Sequence, residues 1–196
     1  EMRSYNPTVR GHTKQVKKAV ASLKKAERPV LYVGGGAVTA EASGLVTKLA
    51  ELLNSPVTCT LMGLGAFPGT HPQFVGMLGM HGTMEANKTM HNADCILALG
   101  ARFDDRVTNN VAKFCPHAEI IHVDIDPASI SKTVNAHIPV VGSVDVVVEQ
   151  ILELLKPEEL SGQSEKLADW WQQIEQWRSR QCLTYDQGDP VIKPQR

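Results

Sequence analysis

An uninterrupted apolar run, followed at once by a cluster of charges, constrains this chain more than any other stretch. Residues 95–99 read Cys-Ile-Leu-Ala-Leu and end at Gly100, which is typical of a short strand buried on both faces of a parallel sheet. Four charged residues lie within the next six positions: Arg102, Asp104, Asp105 and Arg106. Open α/β sheets bind their ligands beyond the carboxyl ends of their strands, so this cluster is a candidate ligand site.

Further segments of the chain alternate between strand-like and helical patterns. Short apolar runs typical of buried strands occur at 30–33, 56–60, 119–123 and 139–142. Helical spacing or capping predicts helices at 12–27, 39–53, 83–92, 128–132, 144–155 and 165–183. Segment 66–82, rich in Gly, Pro, Met and His, is interpreted as a long ordered loop. The alternation predicts an α/β fold with a parallel, doubly wound (Rossmann-like) sheet, which we expect to be six-stranded although these runs account for five strands.

Composition and charge exclude several classes of protein. The 196 residues are 42% hydrophobic and 21% charged, which is ordinary for a globular protein with one core. The formal net charge of −1 provides no electrostatic footprint for nucleic acid or for an anionic membrane, so we expect neither partner. The four scattered cysteines lack the spacing of a zinc site and predict free, buried thiols in a reducing cytoplasm.

Both ends of the chain are polar and contain proline, which suggests a piece of a longer protein. We expect residues 1–157 to form the α/β domain, and residues 158–196 to form a linker and an amphipathic helix that leads to another domain. Trp170, Trp171 and Trp177 follow helical spacing on that helix. They are interpreted as a packing face against the domain or a neighbouring module, with a cofactor wall as the alternative.

Three strand ends carry groups that a nucleotide diphosphate needs. The glycines at 34–36 do not follow the dinucleotide spacing, but they let a phosphate approach the backbone. Arg102 and Arg106 have guanidinium groups that suit phosphate oxygens, and the alternative is an internal salt-bridge cluster with the two aspartates between them. Asp124 is a candidate for ribose hydroxyls, whereas Asp126 before a proline is expected to cap a short helix.

Four motifs together resemble the central domain of the acetolactate synthase (acetohydroxyacid synthase) catalytic large subunit, of the enteric biosynthetic type. They are Leu-Met-Gly-Leu-Gly at 61–65, Gly-Met-His-Gly at 79–82, Gly-Ala-Arg-Phe-Asp-Asp-Arg-Val-Thr at 100–108 and His-Val-Asp-Ile-Asp-Pro at 122–127. The Asp-Trp-Trp helix at 169–171 belongs to the same resemblance, which runs from about Met2 to the end. The family usually has Gly-Asp where this sequence has Gly142-Ser143, which removes one expected contact on the adenine side.

The resemblance implies a central domain that binds FAD in a structural role, with thiamine diphosphate and magnesium held by two outer domains that this chain lacks. The whole enzyme would decarboxylate pyruvate and condense the product with a second pyruvate or with 2-oxobutyrate, in branched-chain amino acid biosynthesis. It would form a homodimer or tetramer of catalytic subunits and bind a small regulatory subunit. The chain alone would then be inactive. The alternatives are the middle domain of another thiamine-diphosphate decarboxylase or oxidase, and a non-catalytic nucleotide-binding or subunit-interaction domain.

The resemblance also implies which residues line the site. Arg106 and Met80 would face the substrate channel, with Arg106 near the second 2-oxo acid. His81, which lacks a second metal ligand at a suitable spacing, is expected to pack on the ligand or to cap a helix. No metal ligand is expected in this chain. The residues expected to line FAD are Gly35, Gly36, Thr60, Leu61, Met62, Leu78, Gly79, Met80, His81, Gly100, Ala101, Arg102, Asp104, Arg106, Val107, Asp124, Ile125 and Ser129.

Overall fold

A computed structural model describes residue 4 and residues 6–185 of the chain. The strands are β1 (Pro29–Val33), β2 (Val57–Cys59), β3 (Phe74–Met77), β4 (Cys95–Leu99), β5 (Glu119–Asp124) and β6 (Ile138–Val141). The helices are α1 (Thr13–Lys25), α2 (Gly35–Thr39), α3 (Ser43–Leu53), α4 (Met84–Asn92), α5 (Asp105–Thr108), α6 (Val144–Leu154), α7 (Gln163–Lys166) and α8 (Ala168–Arg178). The predicted regions 1–157 and 158–196 both extend beyond the described residues.

The described strands form one six-stranded sheet in the order β3-β2-β1-β4-β5-β6, and every neighbouring pair is parallel. This confirms the predicted doubly wound fold. The chain order reverses between β1 and β4, where Val33 pairs with Leu99 and the Gly34 N–H donates to the Leu99 carbonyl over 2.9 Å. In such sheets the reversal opens a crevice at the carboxyl ends of the strands.

Strand β3 lies within segment 66–82, where the sequence predicted a loop. It is an edge strand of four residues, only one of which is buried, and its Gly76 has a φ of +99°. An edge strand with one covered side needs no continuous apolar run, and an internal glycine weakens the strand pattern further. Two threonine hydroxyls hold it in place: Thr58 donates to the Gly76 carbonyl and Thr83 donates to the Val75 carbonyl, over 2.9 and 2.8 Å.

Three predicted helices have different bounds in the structure. The helix expected at 39–53 is two helices, α2 and α3, separated by Glu41 with its φ of +52°. The helical turn expected at 128–132 is a series of non-helical turns. The helix expected at 165–183 ends at Arg178, and the separate short helix α7 precedes it. The first two differences occur at residues with a positive φ, Glu41 and Ser131, which side-chain periodicity does not encode.

The two faces of the sheet are covered by different helices. Alternate residues of β4 point to opposite faces: Leu97 belongs to the cluster beneath α1, α3 and α6, and Ala98 belongs to the cluster beneath α4 and α8. In α8, Trp170 and Ile174 are buried, and the Trp170 indole donates to the Pro29 carbonyl over 3.3 Å. The tryptophan face therefore packs on the domain. Within residues 6–185, no helix is long and apolar enough to cross a membrane.

Candidate functional site

Each predicted site residue either follows the carboxyl end of a strand or lies at that end. Because the strands are parallel, these residues all lie at one edge of the sheet. The segments concerned follow β1 (35–36), β2 (60–62), β3 (78–81) and β4 (100–107), or lie at the end of β5 (124–129). This edge includes the crevice between β1 and β4. The topology thus assembles segments that are as far apart as 94 positions along the chain (35 to 129).

Glycines at the crevice allow two strand-end loops to touch each other. A Cβ added at Gly34 would lie 2.2 Å from the Gly100 carbonyl oxygen, and one at Gly36 would lie 2.7 Å from the Gly100 Cα. Gly100 itself has a φ of +60°, which favours glycine. The Gly36 N–H donates to the Gly100 carbonyl over 3.0 Å. The glycine-rich turn, which the sequence explains by phosphate approach, thus has a packing role as well.

The charged loop after β4 is organised by Asp104, which caps α5. Its carboxylate accepts from the Arg106 N–H over 3.1 Å and lies 2.5 Å from Nη2 of Arg102. The backbone N–H of Arg106, and more weakly the two arginine charges, lower the pKa of Asp104 below its usual value. Arg102 remains 79% exposed in this ion pair, and Arg106 has no ion pair with any described residue. A guanidinium so exposed can still bind an anion.

The loop after β3 docks on the backbone of Arg106. The Met80 N–H donates to the Arg106 carbonyl over 3.0 Å, and a Cβ at Gly79 would lie 2.9 Å from the same oxygen. Asn87 of α4 holds this loop from the other side: its Oδ1 accepts from the Gly79 N–H and its Nδ2 donates to the Gly79 carbonyl, over 3.1 and 3.0 Å. Sequence reasoning missed Asn87, although an amide in the first turn after a glycine-rich loop is a usable signal.

Asp124 and Asp126, at the carboxyl end of β5, have different hydrogen-bond partners. Asp126 caps a turn, because its carboxylate accepts from the Ala128 N–H and the Ser129 hydroxyl over 2.9 and 3.2 Å. Asp124 accepts the Asp126 N–H on Oδ1 over 2.9 Å, and its Oδ2 is not hydrogen-bonded within the described chain. Its carbonyl accepts from the Gly142 N–H over 2.9 Å. No hydrogen bond among the described residues joins this pair to Arg102 or Arg106.

Several predicted site residues expose large apolar side chains at this edge. Leu61 is 69% exposed, Met62 is 76% exposed and Met80 is 64% exposed. Leu61 and Met62 lie on a single 3₁₀ turn, which is held by the Thr60 hydroxyl accepting from the Gly63 N–H over 2.9 Å. Large apolar side chains exposed at one edge of a sheet make that edge a candidate binding surface.

The cysteines only partly match the prediction. Cys59, Cys95 and Cys115 are free and buried, and burial raises the pKa of each thiol to about 12. Cys182 is exposed, because it follows the end of α8, so the prediction of a buried thiol is wrong there. No group of His, Cys, Asp and Glu side chains within the described residues is arranged to hold a metal ion.

Comparison with known proteins identifies the family. The sequence model of the family "Thiamine pyrophosphate enzyme, central domain" matches residues 16–151. The chain is 61% identical over 194 residues to the acetolactate synthase isozyme 3 large subunit of Escherichia coli, covering 99% of this chain and 34% of that protein. It is 56% identical over 196 residues to the acetolactate synthase large subunit of Haemophilus influenzae, covering 100% of this chain and 34% of that protein.

A more distant relative gives the same result. The chain is 42% identical over 196 residues to the acetolactate synthase large subunit IlvB1 of Mycobacterium tuberculosis, covering 100% of this chain and 32% of that protein. The chain therefore spans about a third of the length of these relatives, and the resemblance found in its motifs is confirmed. From the fold and the family match together, the chain belongs to the thiamine pyrophosphate enzymes and corresponds to the central domain of that family.

Proposed function

We propose that this chain is the central domain of an acetolactate synthase large subunit and that it binds FAD along the carboxyl edge of its sheet. One observation carries the proposal: Leu61, Met62 and Met80 expose apolar side chains at the same edge that carries the exposed guanidinium of Arg102. A flavin dinucleotide needs this combination, because it joins a large apolar ring to a charged diphosphate.

The residues present fit such a cofactor. Exposed apolar side chains suit the flavin ring, Arg102 and the backbone at Gly100 suit the diphosphate, and the carboxylate of Asp124 suits ribose hydroxyls. In a carboligation without net redox change, FAD supplies structure to the site. The residues of this chain orient the charged groups of the site. Asp104 caps α5 by accepting from the Arg106 N–H, and this fixes the backbone from which the Arg106 side chain extends.

The activity of the whole protein follows from the same proposal. It decarboxylates pyruvate and condenses the product with a second pyruvate or with 2-oxobutyrate, supplying acetohydroxy acids for branched-chain amino acid biosynthesis in the cytoplasm. Thiamine diphosphate and magnesium bind in flanking domains, catalytic subunits form a homodimer or tetramer, and a small regulatory subunit binds to them. Within this chain, Arg106 is the residue that faces the substrate, where its guanidinium pairs with the carboxylate of the second 2-oxo acid.

The proposal is tested by Arg102→Ala in the full-length protein. The control is Lys25→Ala, which removes an exposed cation at the end of α1, before the amino end of β1 and so at the opposite edge of the sheet. We expect Arg102→Ala to lose FAD on gel filtration while the KM for pyruvate changes less, because the guanidinium binds the diphosphate and not the substrate. Lys25→Ala should retain FAD like the wild type. Equal FAD retention in the wild type and in Arg102→Ala would contradict the assignment.

Two rival functions give different results in the same preparation. If the chain belongs to another thiamine-dependent decarboxylase or oxidase, the full-length protein will bind flavin but form no acetolactate from pyruvate. If the chain is a nucleotide-free interaction domain, the full-length protein will be colourless and will not take up added FAD. The visible absorbance spectrum and one acetolactate assay therefore separate all three.

A further inference from the structure

A buried histidine lies directly beneath the proposed nucleotide site with no hydrogen-bond partner for either ring nitrogen. His122 of β5 is 1% exposed, and neither Nδ1 nor Nε2 is bonded to another described residue. The great majority of buried side-chain polar atoms in proteins are hydrogen-bonded, so an unpaired ring in this position needs an explanation.

The strand geometry aims this ring at Asp124. Residues two apart in a strand share a face, so His122 and Asp124 point to the same side of the sheet. His122 Nε2 lies 4.0 Å from Asp124 Oδ2, about 1 Å beyond a hydrogen bond. Asp124 is anchored through its other oxygen, because Oδ1 accepts from the Asp126 N–H over 2.9 Å.

The surroundings keep the imidazole in place and neutral. The rings of Phe103 and His122 pack in a T-shaped arrangement, with 5.1 Å between their centroids and 85° between their planes. Burial lowers the pKa of His122, and this effect outweighs Asp124 and the Ala101 backbone, which act in the opposite direction. A neutral imidazole has one N–H to donate. Of the two acceptors nearby, the Asp124 carboxylate is charged and the Ala101 carbonyl is not, so donation from Nε2 to Asp124 is the stronger choice.

We propose that His122 is a positioning residue for the ligand contact of Asp124: when the nucleotide binds, the 4.0 Å gap closes, and the Nε2–H of His122 donates to Asp124 Oδ2 and orients the carboxylate toward the ribose hydroxyls. The inference rests on the proposed function, since FAD is the ligand that supplies those hydroxyls. Asp124 then accepts from Asp126 on one oxygen and from His122 on the other. The remaining lone pairs of the carboxylate face the edge of the sheet.

The test compares variants of the full-length protein by their dissociation constant for FAD. His122→Gln keeps an N–H donor near the position of Nε2, whereas His122→Asn is too short to reach it and His122→Phe keeps only the shape of the ring. We expect His122→Asn and His122→Phe to raise the dissociation constant about tenfold, the usual size of one hydrogen bond to a charged group, and His122→Gln to raise it less than about threefold. Equal weakening by Gln and Asn would overturn the proposal.

Tyr32→Phe is the matched control. Tyr32 lies in the same cross-strand row as His122, since both register with Ala98, and its hydroxyl is also buried without a described partner. It does not contact Asp124, so its loss should leave the dissociation constant unchanged. In an Asp124→Ala background, His122→Phe should have no further effect, because the group through which it acts is absent. A full, additive effect there would contradict positioning through Asp124.

A second readout is the distance between the two side chains. In a crystal structure of the FAD-bound full-length protein, we expect the 4.0 Å gap between His122 Nε2 and Asp124 Oδ2 to close to about 2.7–2.9 Å, as in a charge-assisted hydrogen bond. A gap of about 4 Å in the FAD-bound protein would refute the bond whatever the binding data show. A wild type that takes up no FAD would overturn the proposed function instead.

Discussion

The two faces of the sheet differ in the polar side chains that they bury. On the face covered by α1, α3 and α6, the sheet contributes aliphatic residues and Cys59 and Cys95. On the face covered by α4 and α8, it also buries Tyr32 and His122. Every buried side-chain N or O atom without a partner in the described residues belongs to this second face: the Tyr32 hydroxyl, the Thr89 hydroxyl and both nitrogens of His122.

The second face binds the ring of Phe103, a residue of the loop after β4. This ring packs 5.4 Å from the ring of Tyr32 and 5.1 Å from that of His122, above the small side chain of Ala98 that separates them in the row. To place it there, the backbone of Phe103 adopts a φ of +50°, which is costly for a bulky residue. The face thus anchors the loop that carries Arg102 and Asp104. The face beneath α1, α3 and α6 contributes apolar packing. On the face beneath α4 and α8, the strained backbone of Phe103 lowers stability but fixes the loop of the proposed site.

The largest expected effect is on the aliphatic face. Leu97→Ala removes a fully buried side chain of the central strand β4. We expect the free energy of unfolding to fall by about 2–5 kcal/mol, from lost transfer energy and the cavity left behind. Urea denaturation measures this loss. FAD affinity of the folded fraction should stay unchanged, and a change in that affinity would break the distinction between the faces.

Phe103→Leu is the corresponding change on the second face. We expect a smaller loss of stability, about 2 kcal/mol, because an aliphatic side chain still fills part of the space while the aromatic contacts are lost. Unlike Leu97→Ala, it should also weaken FAD binding, since the loop with Arg102 loses its anchor. Fluorescence titration of flavin with both variants, at equal folded fraction, makes the comparison. Unaltered affinity in Phe103→Leu would show that the loop holds itself.

Acid should destabilise the second face through His122. Burial lowers the pKa of His122 in the folded protein below its ordinary value of 6.5, so below that pH the unfolded chain binds a proton that the folded chain does not. Stability is therefore present above pH 6.5 and falls as the pH decreases, by up to about 1.4 kcal/mol per pH unit. Urea unfolding of wild type and His122→Phe between pH 7.5 and 5 is the measurement, with a flatter curve expected for the variant. Parallel curves would contradict a buried neutral His122.

The smallest effect is expected for the Tyr32 hydroxyl. Because this group is buried and has no partner in the described residues, Tyr32→Phe removes an uncompensated polar atom. The free energy of unfolding should stay the same or rise by less than about 1 kcal/mol, since an unpaired hydroxyl costs desolvation without a bond in return. Thermal or urea unfolding at pH 7 measures it. A loss above about 1 kcal/mol would mean that the hydroxyl has a partner, such as a buried water.

Much of the fold could be predicted from local patterns, and the same patterns suggested the candidate site at the strand ends. Central strands such as β1 and β4 are short apolar runs because they are covered on both faces, and the charged loop after β4 stands out against them. The edge strand β3 could not be recognised, since covering one side of four residues leaves no distinctive run. Asn87 and His122 escaped attention for a different reason: the hydrogen bonds of Asn87 to Gly79 and the burial of His122 are both set by packing.

The sequence by itself determined the alternation of buried strands and amphipathic helices, the glycines at the strand ends and the motifs of the family, because each depends on residues close together in the chain. Only the tertiary structure decided the strand order, the contact of Gly34 with Gly100 and the burial of His122 without a hydrogen-bond partner among the described residues. Parallel strands gather distant loops at one edge, and which groups meet there depends on register and packing.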